Sequence, residues 1–406
     1  MVCFFAATTF GQQRDLVQVF EQIATLIRDD RLAEAEKELT AVLRLSPNLP
    51  VALNLMGSLR AKQGRLLEAE TLFLRAVRDD KTFTGARMNL VYLYQLKRAP
   101  DKAILQLKEV LAIEPENLDA KVMLGDAYLA KNDLQKAEEN YLAALDGKLD
   151  NAGALFGLAQ ISRVKGETRE ASIYLNRVST LTADTKSAEF LYKFGLEAMR
   201  VGMFDEAKSA LERAVELQPK EASYLLAFGI AWLRKGDLFE AEKLFRRLLE
   251  LQPNNAQGQL HLGYVLLNQK KYAEARPWLE KSARPGAAIP ETFYYLGLVA
   301  QEQNDDARAI VLFEKAVRQL PSYAHARIAL GASYMRLKNY VRARQELETA
   351  VKLDPNEPTA HYNLALLYAR IKEPARAQEE MKIIEQLKSK GASTGGVVVL
   401  PPKSNP

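Results

Sequence analysis

Apolar residues recur along most of this chain at helical spacing, in short blocks separated by polar turns. Leu225, Phe228, Gly229 and Trp232 fall at i, i+3, i+4 and i+7, which is one face of a helix. Gly236-Asp237 interrupts that pattern. Leu238, Ala241, Phe245 and Leu248 then form a second face, and Pro253 closes it. Pro47, Pro115, Pro219, Pro321 and Pro355 close similar blocks elsewhere. The unit is two short antiparallel helices and a turn.

The unit repeats. Small residues stand at Gly57, Val91, Gly125, Ala159, Gly195, Gly229, Gly263, Gly297, Gly331 and Ala365, with Val91 the one bulkier member. The step is 34 residues, except 36 between Ala159 and Gly195. An alanine column runs in the same register: Ala35, Ala69, Ala103, Ala137, Ala171, Ala207, Ala241, Ala275, Ala309, Ala343 and Ala377. Two columns that share one register and one interruption define a repeat array. Glycine inside a helix costs about 0.5–1 kcal/mol against alanine, so the missing side chain must serve packing. The expected contact sets Gly229 against Ala241 where the two helix axes approach, with Phe228 and Phe245 filling the space around it.

These residues resemble the tetratricopeptide repeat family. The resemblance covers roughly residues 16 to 389, about eleven units. It rests on the Leu/Phe-Gly pair, the Tyr or Trp three residues later (Tyr94, Tyr128, Trp232, Tyr334, Tyr368), the alanine, the Phe, Tyr or Leu four beyond it, and the terminal proline. It implies an all-α, right-handed superhelical solenoid whose first helices line a concave groove. In the family that groove binds a peptide or a segment of a partner protein.

The expected organisation is a leader stretch or disordered end at 1–13, a first half of the array at 14–185 (about five repeats), a second half at 186–389 (about six) and a disordered tail at 390–406. Ala24 lies 33 residues before Gly57, so the first repeat reads as out of phase, a cap. The two extra residues near 179–187 read as a bend or joint, or equally as a longer turn. Pro277 should kink or shorten its helix, and that repeat ends in a Gly/Pro-rich turn. Within the tail, "VVVLPP" has the composition of a short docking strand or of plain disorder.

Helix geometry selects the groove positions. Residues three before and one after the small column share a face. In the second half they are Tyr192/Leu196, Leu226/Ile230, Leu260/Tyr264, Tyr294/Leu298, Ile328/Ala332 and Tyr362/Leu366. Arg200, Arg234, Arg336 and Arg370 follow one turn on. The candidate partner-binding set is Tyr192, Leu226, Leu260, Tyr264, Tyr294, Tyr295, Tyr362, Arg200, Arg234, Arg336 and Arg370. Tyrosine and arginine are enriched where binding energy concentrates. The competing reading packs the apolar members against the next repeat and makes the arginines helix C-terminal charges favoured by the dipole. Some family members hold an acidic peptide end with lysine and asparagine in these slots. Asn89 and Asn363 occur here without the lysines, which points instead to an apolar segment with some acidic character.

Composition narrows the chemistry. The net charge of +5 over 406 residues is too small to argue for nucleic acid, and basic and acidic residues interleave. One cysteine, Cys3, excludes an internal disulfide framework. No apolar run reaches the roughly 18 residues that cross a bilayer. The three histidines, His261, His325 and His361, lack metal-ligand spacing, and no HExxH, GxSxG elbow, P-loop or dinucleotide glycine fingerprint occurs. No cofactor, metal or catalytic residue is expected. "MVCFFAATTFGQQ" has a short apolar stretch with Thr9 and Gly11 placed for cleavage before Gln12, but lacks a basic start. It reads either as a shortened signal peptide, hence export, or as a frayed cytoplasmic end. The expectation is a non-catalytic interaction scaffold serving assembly or secretion at a bacterial envelope. The alternatives are a substrate-presenting subunit of an enzyme complex and a self-associating structural protein.

Overall fold

A computed structural model describes residues 3–146, 150–284 and 289–389. Met1 and Val2 of the expected leader, the Gly/Pro-rich turn at 285–288 and the expected tail at 390–406 lie outside the described residues. Among the described residues there are 22 α-helices and no strand, packed as consecutive antiparallel pairs.

The chain divides into two compact units, Met1–Asp184 and Thr185–Pro406. The first holds α1 (Cys3–Arg28), α2 (Leu32–Leu45), α3 (Pro50–Lys62), α4 (Leu66–Asp79) and α5 (Thr84–Leu96). It continues with α6 (Pro100–Ile113), α7 (Leu118–Ala130), α8 (Leu134–Leu145), α9 (Ala152–Val164) and α10 (Thr168–Leu181). The second begins with α11 (Ala188–Val201), α12 (Phe204–Leu217), α13 (Ala222–Lys235), α14 (Leu238–Leu251), α15 (Ala256–Asn268) and α16 (Tyr272–Ser282). It ends with α17 (Pro290–Glu302), α18 (Asp306–Gln319), α19 (Ala324–Arg336), α20 (Tyr340–Leu353), α21 (Pro358–Arg370) and α22 (Pro374–Ser389). Odd-numbered helices carry the small-residue column and even-numbered ones the alanine column.

The glycine column works differently from the expectation. Gly229 faces Phe245, the large residue four beyond Ala241. A Cβ on Gly229 would lie 2.5 Å from Cε1 of that ring. The same holds for Gly57 with Phe73, Gly125 with Tyr141, Gly263 with Leu279 and Gly297 with Phe313. The glycine thus admits a fully buried ring or leucine from the second helix. Ala241, also fully buried, keeps the helices close beside it.

Three further regularities hold each pair. The first helices are followed by one left-handed residue per repeat: glycine at 64, 166, 202 and 236, but Asp30, Arg98, Asn132, Lys270, Asn304, Lys338 and Lys372 elsewhere. The second helix often opens on a side-chain cap, as where Asp237 Oδ1 accepts from the Phe239 and Glu240 amides at 3.0 and 3.1 Å. A polar strut recurs four residues before the small column. Arg87 donates to Gln106 and to the Lys81 carbonyl, Arg327 to Glu346 and the Pro321 carbonyl, and His361 bridges Glu380 and the Pro355 carbonyl. Each ties its own second helix to the turn before its first.

The first repeat is in phase, contrary to the expectation. Ile23, 1% exposed, stands 34 residues before Gly57, opposite buried Leu39. This pair carries a branched residue, Ile23, where the other repeats carry the small column, and Ala24 is its neighbour in sequence. Pro277 lies inside α16, which continues past it to Ser282 and is 11 residues long against 14 for α14 and α18.

Candidate functional site

The face of the second unit built by α11, α13, α15, α17, α19 and α21 carries three hollows. The first, about 440 Å³, lies over α11 and α13, with Tyr192, Leu196, Met199, Leu226 and Ile230 as its apolar lining and Arg200 and Arg234 on it. A second, about 500 Å³, is lined by Arg234, Glu291, Tyr294, Tyr323, His325 and Asp354. A third, about 210 Å³, runs from Tyr294 and Leu298 across His325 and Ile328 to Arg336 and Asn363. Arg234 lines the first two, and Tyr294 and His325 line the last two, so the hollows follow one another along this face.

The structure brings Tyr192, Arg200, Leu226 and Arg234 together in the first hollow and Tyr294 and Arg336 in the third. Tyr192 and Leu226 are partly exposed, and the Tyr192 ring meets that of Tyr224 at 4.8 Å, tilted by 32°. Tyr362 is 51% exposed at the end of the row, outside these hollows, with Arg370 exposed about two turns on. Leu260 and Tyr295, each 1% exposed, are core residues instead. Tyr264 is buried beside them. Its ring meets Tyr295 at 5.3 Å, Tyr295 meets Tyr294 at 5.4 Å, and Tyr294 meets Tyr323 at 5.2 Å. Two neighbouring first helices and the turn before a third carry these rings, and their tilted packing uses up the surface that helical spacing alone assigns to a groove. Burial pushes the Tyr264 hydroxyl up to about 12 and those of Tyr294 and Tyr323 higher still.

The arginines differ among themselves. Arg200 is held by buried Glu197 at 2.9 Å and Arg336 by Asp306 at 2.7 Å. Arg234 and Arg370 are exposed and have no ion-pair partner among the described residues. All four lie in the last turn of their helices, where the dipole also favours them.

Sequence reasoning missed Glu291, Tyr323, His325 and Asp354. Tyr323 and Asp354 sit in the turns before and after the α19–α20 pair, where the helical period gives no signal. Among the described residues no group of three or more His, Cys, Asp or Glu is placed to hold a metal ion, and no helix is long and apolar enough to cross a membrane.

Tetratricopeptide repeat models match residues 22–82, 122–181, 192–256 and 236–288 in one version, 96–146 and 298–362 in a second, and 346–379 in a third. The chain is similar to cellulose synthase operon protein C of Xanthomonas axonopodis pv. citri, 30% identical over 197 residues, covering 47% of this chain and 13% of that protein. It is also similar to human protein O-mannosyl-transferase TMTC3, 26% identical over 178 residues, covering 43% of this chain and 20% of that one. The matched stretch is thus a small part of either relative's length. Among solved structures, Pseudomonas aeruginosa pilF matches at a TM-score of 0.46 and 21% identity, over 50% of this chain and 92% of that one. The helix pairs, their two residue columns and the matches along most of the chain agree, and the chain belongs to the tetratricopeptide repeat family.

Proposed function

We propose that the protein is a non-catalytic interaction scaffold that binds a segment of a partner protein along the first-helix face of its second unit. The observation that carries this reading is the first hollow. It joins an apolar floor (Leu196, Leu226, Ile230) to Arg234, a cation with no acidic partner among the described residues. An apolar side chain with a nearby carboxylate suits that combination. Tyr192, Arg200, Leu226 and Arg234 are its contact residues; Tyr362 and Arg370 extend it at the far end. Leu260 and Tyr295 support it from within.

The test is selection from a random peptide display library on the whole chain. Wild type should enrich peptides with an apolar residue near an acidic one. Leu226→Glu, with an unchanged circular dichroism spectrum, should hold them at least roughly tenfold more weakly. Recovery of no peptide family above background would end the reading. Concentration-dependent sedimentation of the same preparation would then favour self-association.

The likeness to cellulose synthase operon protein C favours a second reading, in which the scaffold works as a subunit of an enzyme or envelope assembly complex. That role is compatible with the same face.

A further inference from the structure

The second and third hollows have a chemistry opposite to the first. Three carboxylates, Glu291, Asp354 and Glu357, line them, each partly buried. Glu291 and Asp354 have no cationic partner among the described residues, and Glu357 has only His325, at 3.6 Å. Arg336, which shares the third hollow, is already held by Asp306. Arg234 alone opposes the carboxylates, from the edge shared with the first hollow. The walls between them are the rings of Tyr294 and Tyr323.

An independent feature points into the same space. Tyr294 is 3% exposed and lines both hollows, yet its hydroxyl has no hydrogen-bond partner among the described residues. Two other tyrosines of this unit have bonded hydroxyls: Tyr334 donates to Glu314 at 2.6 Å and Tyr368 to Glu348 at 3.0 Å. The hydroxyl is not closed off from solvent, so a ligand donor entering the hollow can reach it. Carboxylates, aromatic faces and a free phenolic oxygen around one hollow are the environment of a planar cation. Carboxylates take a guanidinium through paired hydrogen bonds and the rings take its flat face.

We infer that the hollow at Tyr294 receives a basic side chain, arginine best, of the segment bound along this face. The inference rests on the segment-binding reading and adds a polarity to it. The apolar and acidic part of the segment lies over α11 and α13, and its basic residue lies over α17 to α21. The fixed order of the two hollows would then set the direction and register of the segment.

The probe is N-acetyl-L-arginine methylamide titrated into the full chain, followed by calorimetry and by tyrosine ultraviolet difference absorption. Saturable binding is expected, with a tyrosine signal. Glu291→Gln/Asp354→Asn should weaken it at least about fivefold, and Tyr294→Phe about two- to threefold. Val341→Ser, on an exposed second-helix position away from the hollows, should leave it unchanged. The matching glutamate and leucine amides should not bind. A titration that does not saturate, a glutamate amide that binds equally, or a constant that ignores the double carboxylate variant would each overturn the inference. If the library also yields segments without arginine or lysine that depend on Leu226, this inference fails and the segment-binding reading stands. If the library yields nothing, both fail together.

Discussion

The Phe245 ring lies across Gly229, with its Cε1 2.5 Å from where a Cβ would stand, and it carries the His261 ring stacked on it at 5.3 Å and 14°. One aromatic side chain thus links the two helices of its own repeat to the first helix of the next. Both tryptophans, Trp232 and Trp278, lie in the same unit, so tryptophan fluorescence reports its unfolding.

Gly229→Ala should cost about 1–3 kcal/mol by overpacking against this ring, although alanine is the better helix former by about 0.5–1 kcal/mol. In a Phe245→Ala background the obstruction is gone, and the same change should become neutral or stabilising. Urea unfolding followed by tryptophan fluorescence measures both. Equal penalties in the two backgrounds would refute the steric account.

His261 should make this unit sensitive to acid. It is 1% exposed, and neither ring nitrogen has a hydrogen-bond partner among the described residues. Burial, with a smaller contribution from Arg234, depresses its pKa from 6.5 to about 3. The folded pKa lies below the unfolded one. The contribution of the neutral ring is therefore fully present above pH 6.5 and is lost as pH falls from there towards about 3. Relative to His261→Leu, wild type should lose up to about 1.4 kcal/mol per pH unit across that window. The leucine variant should also be the more stable at pH 7.5, because it removes two unpaired polar atoms. A stability difference independent of pH between 6.5 and 4 would show that the imidazole is hydrated or partnered.

Lys338→Gly should stabilise the turn between α19 and α20. Lys338 is exposed and holds φ of 59°, a left-handed conformation that a side chain disfavours. Gly202 and Gly236 occupy the equivalent position in other repeats. Relief of about 1 kcal/mol or more exceeds the added flexibility of the unfolded chain, so a rise in Tm of a few degrees is expected in calorimetry. A fall would mean that the lysine stem packs usefully.

Arg327→Ala should cost about 2–3 kcal/mol, because it leaves Glu346 partly buried without its cation. The guanidinium lies 2.5 Å from the Glu346 carboxylate, and the two side chains are only 15% and 18% exposed. The paired change Arg327→Met/Glu346→Leu should recover most of that loss. Urea unfolding of the three variants decides it. A double variant as weak as the single one would place the loss in the bond to the Pro321 carbonyl instead.

Much of the architecture was legible from residue pattern because each repeat obeys short-range rules. Gly57 to Ala365 and Ala35 to Ala377 mark the close contact within every pair, and that contact depends on residues only 16 or fewer positions apart, as between Gly229 and Phe245. Only the coordinates showed that the glycine answers Phe245 rather than Ala241, and that Ile23 keeps the first repeat in phase. Both depend on which large side chain crosses the interface, a choice that spacing does not encode.

The site was legible in part. Helical geometry put Tyr192, Leu226, Arg200 and Arg234 on one face, and the fold gathers them around one hollow. It could not separate Leu226, which reaches solvent, from Leu260, which does not, because they occupy the same repeat position. That difference is set by neighbouring helices. Tyr264, Tyr295 and Tyr294 pack together over α15 and α17, whereas α11 and α13 leave a hollow. The sequence by itself determined the repeat, its helices and the face they share, since these follow from local period and the sizes of paired residues. Tertiary structure alone decided which residues of that face remain open and brought Asp354 and Tyr323 from the turns beside Tyr294, because burial and charge placement depend on contacts between repeats.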